Sequence, residues 1–352
     1  MIRIGFGGRP IACLLLALFA FVLLAGLVAP ADAATARTLA DARAKGSLPC
    51  GVVVEQEDFT KTDEHGDLSG FSSAICRAVA AAVLGDPGRV RLLSYPDDAH
   101  GVAALHDGRV VLLVGTTPEA THALLDHLRF TPTLFDDGQG FLVRRDLRAH
   151  DLADLHDRLI CYLSQTPAEP GLAEWSARAR VAIRPHPFGE TGEMEAALTT
   201  GNCDAITADV SALAGMRSRF HGRRADFDIL PQMIRLDPFA AATRDDDPAW
   251  TTIVSDVVTV LIEAEQDGIG RVNLAAIRTS ADPAGHRLLG PTPGLASLLG
   301  LGDGWAARAI AASGNYGEIY AATLGPRTAM SLPRGVNASW TQGGMIGAPQ
   351  IP

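Results

Sequence analysis

The chain has 352 residues, of which 47% are hydrophobic and 20% charged, and its formal net charge at pH 7 is −10. This composition is typical of a globular protein and excludes an intrinsically disordered chain, and the length favours two lobes or domains over one core. The acidic balance argues against nucleic acid and anionic lipid as partners.

The first 33 residues predict a secretory signal peptide. Arg3 and Arg9 precede an apolar run over 11–28, and Ala31-Asp32-Ala33 supplies the small residues of a cleavage site. An uncleaved membrane anchor is the alternative, since the run nearly reaches spanning length. Removal of residues 1–33 takes away Arg3, Arg9 and Asp32, a net charge of +1, and leaves −11.

The next part of the chain alternates strands and helices. Buried strands are predicted at 49–54, 89–94 and 109–114, with helices at 74–84 and 99–106 between them. Such βαβ units predict a mostly parallel sheet in the first lobe, residues 34–145.

Residues 110–145 form the predicted junction between the lobes. An apolar strand stops at Gly115-Thr116-Thr117-Pro118, and a second strand follows a short helix over 140–145. The small hydroxyl residues lie just past a strand end, where an open α/β sheet places its ligand crevice. The pattern predicts a two-lobed protein that closes on a small solute.

The second lobe is predicted at 146–236, inserted into the first, which resumes over 237–280. Strands at 159–163, 181–185 and 204–207 alternate with helices at 168–179, 192–200 and 210–220, and 229–236 carries the chain back. Asp247-Pro248 begins a long amphipathic helix that runs to about 266. Residues 281–352 are predicted to form a helical and irregular C-terminal extension.

Four cysteines remain once Cys13 leaves with the signal peptide: Cys50, Cys76, Cys161 and Cys203. An even count in an exported chain favours disulfides, and free buried thiols are the alternative. Pairing 50 with 76 and 161 with 203 keeps each bridge inside one lobe. In the chain-entropy model each bridge contributes about 3–4 kcal/mol.

The chain resembles the periplasmic solute-binding proteins of ABC importers for polar amino acids, in particular the general L-amino-acid-binding branch. The resemblance spans nearly the whole chain after the signal peptide and lies in CGVVVEQEDF, CRAVAAAVLGD, DDGQGFLVRR, GNCDAITAD, RLLG, GNYGEIY and RGVNASWTQGGMIGAP. It implies a type II periplasmic-binding-protein fold, two α/β lobes joined by a hinge. It also implies a monomer in the periplasm that binds its ligand in the cleft and delivers it to a permease in the inner membrane.

The carboxylate side of the ligand site departs from the family pattern. His122 takes the place of an arginine that clamps the ligand's α-carboxylate, a bidentate contact that one imidazole cannot reproduce. The family's Thr-Trp-Thr becomes Thr117-Pro118-Glu119, and its Gly-Thr-Thr at a helix start becomes Gln165-Thr166-Pro167. We therefore expect a rebuilt carboxylate site around His122.

Other anchors of the family pattern are present. Asp209 matches the residue that receives the ligand's α-ammonium, Thr117 and Thr166 keep hydroxyls on opposite walls, and Phe59 covers an apolar part of the ligand. Structural alternatives stay open, since Asp209 and the two threonines would also serve as helix caps or strand ends. In the same way Phe59 is explained by core packing and His122 by solvation or by pairing with Glu119.

The first functional hypothesis is a binding protein for an amino-acid-like or amine-containing solute, with Glu119 favouring an amine, an amide or a peptide end. The alternative is a cleft enzyme of the cyclohexadienyl dehydratase type, with Glu119 and His122 as acid and base. A third hypothesis is an accessory or sensor module that does not transport. The scattered histidines predict no metal site, and no motif predicts a cofactor.

Overall fold

The computed structural model describes residues 37–53, 59–62, 64–280, 283–289 and 298–350. The predicted signal peptide, 1–33, and its cleavage site lie outside this part of the chain. Within the described ranges no helix combines the length and the apolar character that crossing a membrane requires.

The first lobe is built on a six-stranded sheet in the order β4-β1-β5-β13-β6, with β7 paired to β13. Its strands are β1 (Leu48–Val53), β4 (Val90–Tyr95), β5 (Leu112–Thr116), β6 (Leu128–Phe130), β7 (Phe135–Asp137) and β13 (Asp237–Arg244); the short β2 (Lys61–Thr62) and β3 (Leu68–Ser69) pair beside it. Strands β1, β4 and β5 are parallel, and β13 runs antiparallel to β5.

The helices of this lobe follow local sequence signals. They are α1 (Arg37–Lys45), α2 (Phe71–Leu84), α3 (Asp98–His106), α4 (Ala120–Leu124), α8 (Pro248–Gln266) and α9 (Leu274–Thr279). Helix α2 ends at Gly85 in the left-handed conformation, φ 78°. Helix α8 starts as predicted, because the Asp247 carboxylate accepts the Trp250 N–H at 3.1 Å and Pro248 lies in the first turn.

The second lobe has a five-stranded sheet in the order β10-β9-β11-β8-β12. Its strands are β8 (Gln139–Arg144), β9 (Leu159–Leu163), β10 (Arg184–Phe188), β11 (Ala205–Asp209) and β12 (Phe227–Ile229), and its helices are α5 (Ala168–Ala179), α6 (Thr191–Thr200) and α7 (Val210–Arg219). Helix α5 has the bounds that the sequence predicts. Strand β10 begins three residues later than predicted.

The chain crosses between the lobes earlier than the sequence indicates. Strand β8, predicted to end the first lobe at residue 145, pairs antiparallel with β11 and β12 in the second sheet. The first crossing therefore lies between β7 and β8, near Asp137 and Gly138. The other lobe boundaries given above stay predictions.

The predicted disulfide pairing is confirmed. Cys50 of β1 is bonded to Cys76 of α2, with 6.0 Å between the Cα atoms, and Cys161 of β9 is bonded to Cys203, with 6.1 Å. Each bridge ties a strand to a segment of its own lobe, so neither restricts motion between the lobes.

The C-terminal extension packs mainly on the first lobe through α10 (Pro283–Leu289), α11 (Trp305–Ser313) and α12 (Tyr316–Thr323). The buried Tyr316 hydroxyl donates to the Leu134 carbonyl at 2.8 Å, and Arg334 makes two hydrogen bonds to Glu265, 2.9 and 3.0 Å. From the second lobe, Arg217 donates to two backbone carbonyls of the extension. The extension thus contacts both lobes.

Candidate functional site

The carboxyl ends of the parallel strands bring the predicted site residues to the edges of the two sheets. Strand β5 ends at Thr116, directly before Thr117, and β11 ends at Asp209. Asp209 pairs in register with Gln139, the first residue of the antiparallel β8. Because open α/β sheets bind ligands outside the carboxyl ends of their strands, these edges define the candidate site.

The wall contributed by the first lobe contains a cavity of about 80 Å³. Aliphatic side chains and three polar residues, Ser72, Asp98 and Thr117, line it together with four aromatic rings: Phe59, Phe71, Phe135 and Phe239. The Phe59 ring meets that of Phe135 edge to face, with 4.8 Å between the ring centres. Phe59 is 4% exposed, so it both packs in the core and lines the cavity.

His122 is held by two carboxylates of its own lobe. Its Nε2 lies 3.1 Å from Oδ2 of Asp98, and its Nδ1 lies 2.8 Å from Oδ2 of Asp126. The alternative pairing with Glu119 is wrong, since both ring nitrogens face other residues and Glu119 is exposed. A ligand carboxylate would have to displace one of these two contacts to reach the imidazole.

Asp98 is a site residue that the sequence did not single out. It lies in the first turn of α3, where a negative charge interacts favourably with the helix dipole. Nothing in the sequence distinguishes it from its neighbour Asp97. Burial raises the pKa of its carboxyl group, and hydrogen bonds from the Thr116 hydroxyl and His122 oppose that shift. Asp98 therefore joins the strand end of β5 to His122 at the mouth of the cavity.

On the wall of the second lobe, Asp209 lies at the cleft end of β11. It occupies the N-cap position of α7 in an extended conformation but makes no side-chain cap hydrogen bond. Its Oδ1 lies 3.9 Å from Nη2 of Arg235, in the segment that leads back to β13. The carboxylate that does bind the start of α7 is Asp137, which accepts the Ser211 N–H at 3.1 Å and the Ser211 hydroxyl.

Asp137 is fully buried at the crossing between the lobes. Burial raises the pKa of its carboxyl group to about 7, and the negative charge of Asp209 adds to the shift, while hydrogen bonds from Gly138 and Ser211 oppose it. The sequence showed Asp137 only as part of an acidic pair before a glycine. Its role depends on contacts with α7, which is distant in the chain.

Thr166 lies three residues past the end of β9. Its hydroxyl donates to the Leu163 carbonyl at 2.7 Å. The preceding Gln165 has a left-handed backbone, φ 64°, and its N–H points to Oε2 of Glu169 at 3.3 Å. The hydroxyl of Thr166 is therefore engaged by this lobe's own backbone.

A larger cavity, of about 350 Å³, lies at the opposite end of the second sheet. Its arginines have carboxylate partners nearby: Arg144 pairs with Asp146 at 2.5 Å, and Arg223 with Asp226 at 3.0 Å. It is remote from the carboxyl ends of the parallel strands. We therefore place the candidate site at the smaller, aromatic cavity.

Two α/β sheets joined by crossing strands, with polar groups at the facing strand ends, define the class of type II periplasmic binding proteins. A search of family models found no match. Among individual proteins, the chain is 37% identical over 338 residues to the glutamate/glutamine/aspartate/asparagine-binding protein BztA of Rhodobacter capsulatus, covering 95% of this chain and 98% of that one.

Two further comparisons agree. The chain is 35% identical over 329 residues to the general L-amino acid-binding periplasmic protein AapJ of Rhizobium johnstonii, covering 92% of this chain and 96% of that one. It matches the structure of a Brucella ovis ABC transporter periplasmic binding protein with glutathione bound, with TM-score 0.75, 32% identity, and coverage of 90% and 99%. The chain belongs to the family of periplasmic amino-acid-binding proteins of ABC transporters.

Proposed function

We propose that the chain, after removal of residues 1–33, captures a small amino-acid-like or amine-containing solute between its lobes and delivers it, as a monomer, to a permease in the inner membrane. The observation that carries this proposal is the position of an acidic group and an apolar cavity at carboxyl ends of strands: Asp209 ends β11, and the cavity lies beside the end of β5. Asp209 receives the ligand's ammonium group, and the cavity around Phe59 takes an apolar part of the ligand.

The size of the cavity limits what it holds. About 80 Å³ is roughly half of the ~150 Å³ of a cavity that accommodates benzene, so this cavity suits a short apolar part of a ligand. The charged end of the ligand must then lie outside the cavity, between the walls. Closure of the second lobe brings Asp209 toward the bound ligand, and the ligand drives closure by its extra affinity for the closed state.

The enzymatic alternative loses its main support in the structure, because the pairing of Glu119 with His122 on which it depended is absent. The relatives support binding, since the names of BztA and AapJ specify amino acids. Glutathione in the Brucella ovis protein supports the inclusion of small peptides among the candidate ligands.

Thermal unfolding of residues 34–352 tests the proposal. The panel contains L-amino acids, their decarboxylated amines, amino-acid amides, dipeptides and glutathione. A ligand present at about 100 times its dissociation constant adds about 2.7 kcal/mol to the free energy of unfolding, a rise of several degrees in Tm. Absence of any shift across the panel would contradict the proposal and favour a role that does not involve transport.

A further inference from the structure

An amino-acid ligand carries a carboxylate as well as an ammonium group, and the cleft must hold both. His122, predicted from the sequence to lie at the carboxylate site, has both ring nitrogens against Asp98 and Asp126. A carboxylate is bound most strongly by charged donors that still have N–H groups to offer. A cation on the other wall, next to the ammonium acceptor Asp209, would supply them.

Arg235 meets this requirement. It lies between β12 and β13, and its side chain is 35% exposed. Its Nε donates to Oδ2 of Asp237 at 2.9 Å and its Nη2 to the same oxygen, while Nη1 donates to the Pro167 carbonyl at 3.3 Å. A guanidinium has five N–H donors, so these three bonds leave two on its outer nitrogens.

The start of α5, the other candidate for a carboxylate on this wall, is a poor anion site. Pro167 and Pro170 have no N–H to donate, and the Gly171 N–H is bonded to the Pro167 carbonyl. The Glu169 side chain also places a negative charge in the first turn. A carboxylate on the second lobe is thus left with Arg235 as its charged donor among these groups.

The spacing of Arg235 and Asp209 suits a zwitterion. Nη2 and Oδ1 lie 3.9 Å apart, beyond hydrogen-bond distance but close enough for both groups to reach one α-carbon's substituents. We infer that Arg235, and not His122, binds the ligand's carboxylate, beside the ammonium acceptor Asp209. This inference rests on the proposed function and names the residue that would select ligands with a carboxylate.

Asp237 is the positioning residue in this arrangement. Its Oδ2 accepts from both Nε and Nη2, so it fixes one edge of the guanidinium and leaves one N–H on each outer nitrogen for a ligand. Because Asp237 begins β13, the strand that returns to the first lobe, the carboxylate contact lies at the second crossing between the lobes. A ligand carboxylate bound to Arg235 would therefore contact the chain at that crossing.

The test is calorimetric titration of wild type, Arg235→Gln and Arg235→Lys with three ligands: the L-amino acid that binds best in the panel, its decarboxylated amine and its carboxamide. Arg184→Gln, an exposed arginine of the same lobe, is the matched control. Loss of charge-assisted hydrogen bonds predicts that Arg235→Gln weakens the amino acid on the order of 10- to 100-fold. Arg235→Lys recovers part of this, and affinity for the amine stays within about 3-fold of wild type.

Two results would overturn the inference while leaving the proposed function in place. One is an unchanged affinity of Arg235→Gln for the amino acid, and the other is an equal loss for amino acid and amine, which would show a general effect on the lobe. Retained amine binding serves as the folding control. If wild type binds none of the three ligands, the proposed function fails and the inference fails with it.

Discussion

The two walls of the cleft differ in the groups that they place at their strand ends. On the first lobe, His122 lies between Asp98 and Asp126, and the nearby cavity is lined by phenylalanines. On the second lobe, Asp209 and Arg235 lie 3.9 Å apart, and Asp237 also binds the guanidinium. In the function proposed above, the first lobe supplies shape and apolar surface, and the second supplies the charged contacts to the ligand's polar end.

The largest expected effect is the loss of stability when the disulfide of either lobe is removed. The Cys161→Ala/Cys203→Ala variant opens a loop of 42 residues, and Cys50→Ala/Cys76→Ala opens one of 26. In the chain-entropy model the free energy of unfolding falls by about 4 and about 3.5 kcal/mol, respectively. Urea unfolding measures both. Equal stability of a variant and the oxidised wild type would show that its bridge does not constrain the unfolded chain.

The next effect is a pH dependence of stability caused by Asp137, at the first crossing between the lobes. Its folded-state pKa of about 7 lies above the ordinary aspartate value of 3.8, so the folded protein binds the proton more tightly than the unfolded chain does. This group's contribution to stability is therefore present at acidic pH and is lost as the pH rises from about 4 to about 7, by up to about 4 kcal/mol.

Asp137→Asn removes this titration. We expect the variant to be more stable than wild type at pH 8 and less sensitive to pH, because the amide stays neutral and still accepts the N–H groups of Gly138 and Ser211. Urea unfolding at pH 5 and pH 8 measures the difference. A wild-type stability that increases over this interval, with the increase abolished in Asp137→Asn, would contradict the assigned direction.

Asp209→Asn probes the charged wall itself. Loss of the carboxylate leaves the ligand's ammonium group without its counter-charge, and we expect affinity to fall on the order of 100-fold. The Tm of the ligand-free variant, measured alongside, separates a loss of affinity from a change in stability. Asp226→Asn, at the opposite end of the lobe, is the control. If Asp209→Asn bound the ligand as tightly as wild type, Asp209 would not be the acceptor of the ammonium group.

The smallest effect is expected on the apolar wall. His122→Ala removes two contacts to carboxylates and should lower the free energy of unfolding by about 1 kcal/mol. Ligand affinity should change less than about 3-fold, because Arg235 binds the carboxylate. The sequence-based hypothesis of a carboxylate site at His122 predicts the opposite, a loss confined to ligands with a carboxylate. Titration of His122→Ala beside exposed His156→Ala separates the two.

The sequence predicts the elements of this fold where the signal is local. Helix α5 has its predicted bounds, the cap of α8 at Asp247 is present, and both disulfides form as paired. The errors arise where the structure depends on distant segments. Strand β8 looks like a continuation of the first lobe until its pairing with β11 is known.

The candidate site divides along the same line. Thr117 and Asp209 are found from the sequence because they follow apolar strands, a local pattern. Asp98 and Arg235 are not, because each looks like an ordinary charge at a helix start or in a loop. Their importance comes from contacts between residues that are distant in the sequence. Asp98 contacts His122, 24 residues away, and Arg235 contacts Asp209, 26 residues away. A local sequence pattern does not predict such contacts.

The most direct measurement is a crystal structure of the protein with the tightest-binding L-amino acid of the panel. We expect the ligand's ammonium group to lie on Asp209 and its carboxylate on the outer nitrogens of Arg235. We also expect His122 to keep its contacts with Asp98 and Asp126. A carboxylate bound to His122, or a ligand held without contact to the second lobe, would contradict the division of roles between the two walls.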